Sequence, residues 1–178
     1  MEQGERSPRS SFTLRTHRPG DMGLIVSRHG ALYAEEYGWN ERFEALVARV
    51  AADFLENYKP TLERCWLAER DGTFLGSIVL AQDRESSNTA KLRLLLVEPS
   101  ARGKGLGATL LQQGIDFARD AGYQRIVLWT QNVLTSARRL YQKAGFRLMR
   151  QDNEENFGAK MTNEHWEMSI SKHGGPKP

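Results

Sequence analysis

An apolar strand that halts at a proline and runs through a basic, glycine-rich turn into a helix leaves a chain few ways to continue. Here the stretch is Lys91 to Gly122, KLRLLLVEPSARGKGLGATLLQQGIDFARDAG. Leu92 to Val97 make the strand, and Glu98-Pro99 ends it, since proline has no N–H for a ladder. The turn is Arg102-Gly103-Lys104-Gly105-Leu106-Gly107, and the helix runs to about Ala121 with Gly122 as a left-handed stop. Such a turn is an anion cradle. Its glycines let the backbone close on a ligand, the first N–H groups of the helix point outward unpaired, and the helix dipole favours negative charge. Arg102 and Lys104 add cationic donors suited to phosphate oxygens. The spacing is neither GxxxxGK[ST] nor GxGxxG; it is R-x-x-G-x-G, through Arg102, Gly105 and Gly107. The plainer alternative is a tight strand-to-helix connection that binds nothing.

The remaining periodicities place this unit in a larger sheet. Phe12 to Thr16 reads as a first strand, and Asp21 as the cap of a helix through about Tyr37, with Met22, Ile25, Val26, His29, Leu32 and Tyr33 at helical spacing. A second helix spans Glu41 to Tyr58. Arg64 to Arg70 and Thr73 to Ala81 flank Asp71-Gly72, a hairpin signature. Gln124 to Thr130 is another apolar strand. Asn132 then reads as the cap of a helix over Val133–Ala144, stopped by Gly145. Phe146 to Arg150 predicts a strand, 151–163 a mixed loop, and Glu164 to Ile170 a last strand. Two leading helices followed by strands, with helices interposed only around the Lys91–Thr130 region, predict a mixed α+β sheet whose one strand–helix–strand crossover is parallel.

With those elements in place, R-x-x-G-x-G resembles the pyrophosphate-binding motif of the GNAT superfamily of acyl-CoA-dependent N-acyltransferases. So does A-x-x-L-Y-x-x-x-G-F, which stands here as Ala137, Leu140, Tyr141, Gly145 and Phe146. The resemblance covers Phe12 to Ile170. It is especially close to GNAT modules that follow MarR-type winged helices, through RHGALYAEEYGW, KLRLLLVEPSARGKGLG and LWTQNVLTSARRLYQKAGF. It implies a mostly antiparallel six- to seven-stranded sheet, about four helices and a central parallel strand pair that splays where CoA enters. It also implies a domain over 12–170, and the polar, Gly/Pro-rich composition of 1–11 and 171–178 predicts loose tails.

The same resemblance implies roles. The phenol of Tyr141 protonates the departing CoA thiolate, chemistry that suits a thiol of ordinary pKa near 8.5 and a phenol near 10. Backbone groups of Leu95, Leu96 and Val97 pair with the pantetheine arm, and Arg102 to Gly107, including Leu106, hold the pyrophosphate. The family's usual Asn, seven residues before the Tyr, is replaced by Leu134; Asn132 either takes over its pantetheine contacts or only caps the helix. Read from the residues alone, Tyr141 is a core aromatic. Leu92, Leu94 and Leu96 should share one face of their strand, with Lys91, Arg93, Leu95 and Val97 on the other. Arg93 either reaches a substrate carboxylate or pairs with an acidic neighbour. Tyr33 and Trp39 line the acceptor pocket or pack in the core. Glu35, Glu36 and His29 are the candidate bases, each as readily a solvated surface group.

The expectation is an acetyl-CoA-dependent N-acetyltransferase working by direct attack on a small-molecule or protein amine; the alternative is a non-catalytic acyl-CoA-binding regulatory module. At 178 residues, 39% hydrophobic and 26% charged, the chain suits one soluble domain. A single cysteine, Cys65, removes internal disulfides and cysteine metal clusters, and in a strand it is poorly placed for an acyl-cysteine step. No metal is expected. The net charge of +3 is scattered and lacks an aromatic platform, which argues against nucleic acid. No apolar run spans a bilayer and the N-terminus lacks a signal core, so no membrane partner and a cytoplasmic location are expected; a homodimer is allowed.

Overall fold

Apolar residues on both faces of the central strands require cover on both sides. The computed structural model, which describes residues 12–170, shows how the helices supply it. Seven strands form one sheet: β1 (Thr13–Thr16), β2 (Arg64–Arg70), β3 (Thr73–Gln82), β4 (Thr89–Val97), β5 (Arg125–Gln131), β6 (Arg147–Asn156) and β7 (Ala159–Ser169), in the order β1-β2-β3-β4-β5-β7-β6. Every pair is antiparallel except β4–β5. The helices are α1 (Asp21–Tyr37), α2 (Glu41–Glu56), α3 (Leu106–Asp120) and α4 (Thr135–Ala144). The mixed, mostly antiparallel α+β sheet is as expected. The tails expected at 1–11 and 171–178 lie outside the described residues.

Strand alternation feeds two cores. Cys65, Leu67, Val79 and Ala81 point to one face, against Met22 and Ile25 of α1 and Ala51 and Phe54 of α2. Trp66, Ala68, Ile78 and Leu80 point to the other, with Leu110, Leu111 and Ile115 of α3 and Tyr141 of α4. Each fully buried Leu, Ile or Phe contributes about 1.5–3 kcal/mol relative to exposure, which holds α3 tightly against β4. A third cluster, Trp39, Phe43, Val47, Phe157 and Met161, joins α2 to the tip of the β6–β7 hairpin.

Three local expectations are corrected. Residues 151–163 are not a loop: β6 and β7 form a long hairpin turning at Phe157-Gly158, both at positive φ (55° and 81°), the geometry a two-residue primed turn needs. The polar RQDNEEN run hid it because β6 is an edge strand and largely exposed, so no apolar alternation is required. The last helix begins at Thr135, with Leu134 and not Asn132 as its cap. Asp21 is the first residue of α1, preceded by Gly20 at φ 97°.

Asp21 has a different task. The Arg15 guanidinium donates to Asp21 at 2.7 Å and to Glu69 at 2.6 Å, tying α1 to β1 and β2. These hydrogen bonds hold both carboxyls below their ordinary values. A lowered folded pKa stabilises the native state above the ordinary carboxyl range near pH 4 and loses that stabilisation as pH falls through the folded values. The urea midpoint should therefore drop between pH 5 and pH 3, and Arg15→Met should flatten that drop. Parallel pH curves for the two proteins would refute the assignment.

Candidate active site

The parallel pair is where the sheet opens. β4 and β5 are in register only from Thr89–Arg125 to Leu92–Leu128. Past Leu92, the β4 edge facing β5 has no ladder partner among the described residues, and a cleft of about 830 Å³ opens between the strands. Leu94 lies at φ 53° in a bulge, where the β3–β4 register slips by one residue between Ser77 and Val79. The Ser77 hydroxyl donates to Leu94 O at 3.2 Å, bridging the two strands at the bulge.

The bulge overturns the expected alternation of β4. Leu95 and Val97 pack with Leu92 on the α3 side, whereas Leu94 packs against the α1–α2 clusters. Strict period-2 counting fails once an extra residue enters a strand. The result is a backbone edge at Leu95–Val97 free to accept an extended ligand as an added strand.

Tyr141 reaches the same cleft from α4. It is buried, edge-on to Phe146 with ring centroids 5.9 Å apart, and it lines the cleft together with Leu95, Ala137 and Leu134. Among the described residues its hydroxyl has no hydrogen-bond partner. Burial pushes its pKa well above the ordinary phenol value, so the hydroxyl stays protonated across the physiological range. Tyr33 also lines the cleft, close enough to Tyr141 for the two phenols to influence one another.

At the end of β4 the turn takes the shape its glycines allow. Gly103 and Gly105 sit at φ 75° and 79°, with open space where a Cβ would project. Among the described residues, the N–H groups of Gly103, Lys104, Gly105, Leu106 and Gly107 meet no backbone acceptor. The Leu106 side chain is buried in the core, leaving only its backbone to a ligand, and Gly107 packs beside Leu140 and Val97. The turn residues do not line the cleft, and the turn follows β4 after Val97. Arg102 is held by Glu36 of α1 at 2.7 Å. Lys104 is exposed.

Other candidates part company here. Trp39 is buried among Phe43 and Phe157 and does not line the cleft; its indole stitches α2 to the hairpin tip. Asn132 is exposed on the other side of the β5 end, where its Oδ1 accepts from Thr162 N–H at 3.1 Å. Glu35 and Glu36 are exposed, the latter paired with Arg102. His29 lines the cleft and is only 2% exposed, which corrects the solvated-surface alternative for this residue. Its Nδ1 meets Ile25 O at 2.8 Å, and a carbonyl only accepts, so that nitrogen carries the proton. Nε2 is then a bare acceptor without a partner among the described residues, and burial lowers the imidazole to about 4. Cys65 is fully buried with its thiol pushed up to about 12, unsuited to nucleophilic duty.

Gln131 was missed. It is 3% exposed, lines the cleft, and its Nε2 donor has no partner among the described residues. The available signal was a lone amide at the carboxyl end of a parallel strand, where open sheets bind ligands.

The sequence profile of the acetyltransferase (GNAT) family matches residues 30–146. Among curated proteins, N-acetylaspartate synthetase of Danio rerio is 42% identical over 89 residues, 50% of this chain and 31% of that protein. Human N-acetyltransferase 8B is 31% identical over 113 residues, 61% of this chain and 50% of that one. Mycothiol acetyltransferase of Beutenbergia cavernae is 32% identical over 149 residues, 75% and 48% of the two chains. The chain thus spans no more than half the length of these relatives. Among solved structures, YncA of Salmonella typhimurium with its cofactor acetyl-CoA superimposes with TM-score 0.71 at 22% identity, covering 94% of this chain and 98% of that one. Ribosomal-protein-alanine N-acetyltransferase of Brucella melitensis gives 0.72 at 21%, covering 89% and 99%. At such identities the likeness is one of fold.

Proposed function

This chain belongs to the acetyltransferase (GNAT) family, and from that premise we propose that residues 12–170 form a unit transferring acetyl from acetyl-CoA to an amine by direct attack. One observation carries the reading: the partnerless β4 edge at Leu95 and the unbonded hydroxyl of Tyr141 share a single cleft. Pantetheine extends along Leu95–Val97, and the diphosphate rests on the N–H groups of Gly103–Gly107, with Arg102 and Lys104 alongside. Acetyl-CoA supplies the activated acyl group. In the reaction, the neutral amine attacks the thioester carbonyl carbon, a C–N bond forms, and the C–S bond breaks. The sulfur takes the Tyr141 proton, the proton lost from nitrogen passes to water, and water returns a proton to the Tyr141 oxygen.

Of the three candidate bases only His29 fits the cleft. With its pKa near 4 it is too weak a base to hold the amine proton at neutral pH. Its Nε2 serves instead as a hydrogen-bond acceptor that orients the amine beside Tyr33. Gln131 Nε2 donates to the pantetheine arm in place of the family's Asn, a role Asn132 is turned away from. The names of the relatives point to different chemistries, formation of N-acetylaspartate in one and acetylation tied to mycothiol in another, so the acceptor is argued from this cleft below. The reading also includes kinship with GNAT modules that follow MarR-type winged helices, and a cytoplasmic reaction on a small-molecule or protein amine. Among the described residues no helix is long and apolar enough to cross a membrane.

Calorimetry with acetyl-CoA, paired with thiol release over a pooled amine panel, tests the proposal. Binding with turnover supports it; binding without turnover on any amine supports the regulatory alternative. Gly105→Val is expected to weaken acetyl-CoA binding by about tenfold or more, because a β-branched residue is strained at φ 79° and fills the cradle. Unchanged affinity would remove the cradle from the argument.

A further inference from the structure

Where β4 and β5 part, the cleft carries a cation that has no counterion among the described residues. Lys91 pairs with Asp83 at 3.7 Å. Arg84 pairs with Glu63 at 2.8 Å and Asp53 at 3.2 Å. Asp53 and Asp83, the carboxylates that act on Arg93 through space, are therefore already engaged. Arg93 itself, half-buried and lining the cleft, makes no hydrogen bond or ion pair among the described residues. Removing a guanidinium from water without pairing it is costly unless a ligand completes the pair.

Its surroundings are equally specific. Lys91, Val127 and Glu167 lie in one cross-strand row, and Trp129 pairs with His165 in the next. Side chains two residues apart share a face, so Arg93 and Trp129 stand on the floor of the same cleft, at the point where β4 and β5 separate. Trp129 is 37% exposed and Met149 of β6 63% exposed, and both line the cleft. Large apolar side chains left open beside a half-buried cation that is unpaired among the described residues describe a site for a molecule with both characters.

Resting on the acetyl-transfer reading, we propose that the acceptor is an amino carboxylate with an apolar side chain. Its carboxylate seats on the Arg93 guanidinium, its amine points inward to the thioester beside Leu95, and its side chain lies against Trp129 and Met149. The order along the strand supports this orientation. Arg93 stands where β4 and β5 part, and the backbone edge at Leu95 follows directly after the Leu94 bulge, a two-residue separation that the carboxylate and amine of one α-amino acid bridge. Arginine presents a planar fork to a carboxylate, which fixes the angle of approach as well as the charge.

The test measures thiol release from acetyl-CoA with phenylalanine, leucine and methionine against their carboxamides, in the parent and in Arg93→Gln and Arg93→Lys. The acid is expected to exceed its carboxamide in kcat/KM by about 10- to 100-fold in the parent, the worth of one charge-assisted hydrogen-bonded pair. That ratio should fall to near one in R93Q and recover partly in R93K, with calorimetry showing the acetyl-CoA Kd unchanged as a check on folding. Equal use of acid and carboxamide by the parent overturns the inference, as does an acid preference that survives in R93Q. Better turnover of simple amines without a carboxylate also overturns it, while leaving acetyl transfer standing. Absence of thiol release with every amine, despite bound acetyl-CoA, removes the acetyl-transfer reading and this inference together.

Discussion

Tyr141→Phe is expected to lower kcat by about 10²- to 10³-fold, the usual worth of a positioned proton donor, while leaving the acetyl-CoA Kd unchanged. The substitution removes one oxygen and keeps the ring. Packing against Phe146 and the α3 core therefore survives. The oxygen is the atom that matters, because it meets no acceptor among the described residues and belongs to a side chain that lines the cleft. An ordinary core tyrosine with an unpaired hydroxyl would tolerate the change, and some are stabilised by it. The two roles thus differ in kcat and not in stability: a thermal midpoint held or raised with kcat collapsed identifies a proton donor. A kcat within about threefold of the parent would return Tyr141 to the core. The raised phenol pKa adds a pH signature. No fall in kcat from phenol ionisation should appear up to pH 9, since the proton is still in place.

The second large effect concerns what holds α4 in position. Glu164 on β7 is fully buried and accepts from Arg138 Nε at 2.9 Å, Trp166 Nε1 at 3.0 Å and Gln151 Nε2 at 3.1 Å. Arg138 lies one turn before Tyr141 on the same helix, so this carboxylate pins the turn that carries the phenol. Arg138→Met should destabilise the fold by about 2–3 kcal/mol. That is somewhat less than the 3–5 kcal/mol of a fully buried pair, since Arg138 is partly exposed and two neutral donors remain. For a domain of this size the loss lowers Tm by roughly 5–10 °C. The double variant Arg138→Met with Glu164→Leu should recover part of it, because removing both partners leaves no buried charge behind. A Tm within about 1 °C of the parent for the single variant would show that Trp166 and Gln151 suffice alone.

Prediction from sequence succeeded and failed for identifiable reasons. The β2–β3 hairpin was legible because Asp71-Gly72 specifies a primed turn, and both residues are at positive φ. The β6–β7 hairpin uses the same turn type at Phe157-Gly158, yet Phe advertises no turn. It adopts φ 55° with its ring packed on Trp39 and Phe43, and with its carbonyl accepting from Asn40 N–H. Trp39 looked equally suited to pocket or core, and only the hairpin folding back over α2 settles it as core. Arg93, Gln131 and His29 share a cleft because of strand order, which pattern alone does not assign.

Local chemistry therefore determined the elements: the glycines at positions 103, 105 and 107, the apolar run of β4, and the helical spacing that turns Tyr141 inward are properties of neighbouring residues. Tertiary structure decided which of them meet. The bulge at Leu94 and the loss of β4–β5 pairing after Leu92 are products of the whole sheet, because register is set across strands and not along them. Those two features open the cleft, expose the backbone edge and leave Arg93 unpaired within it.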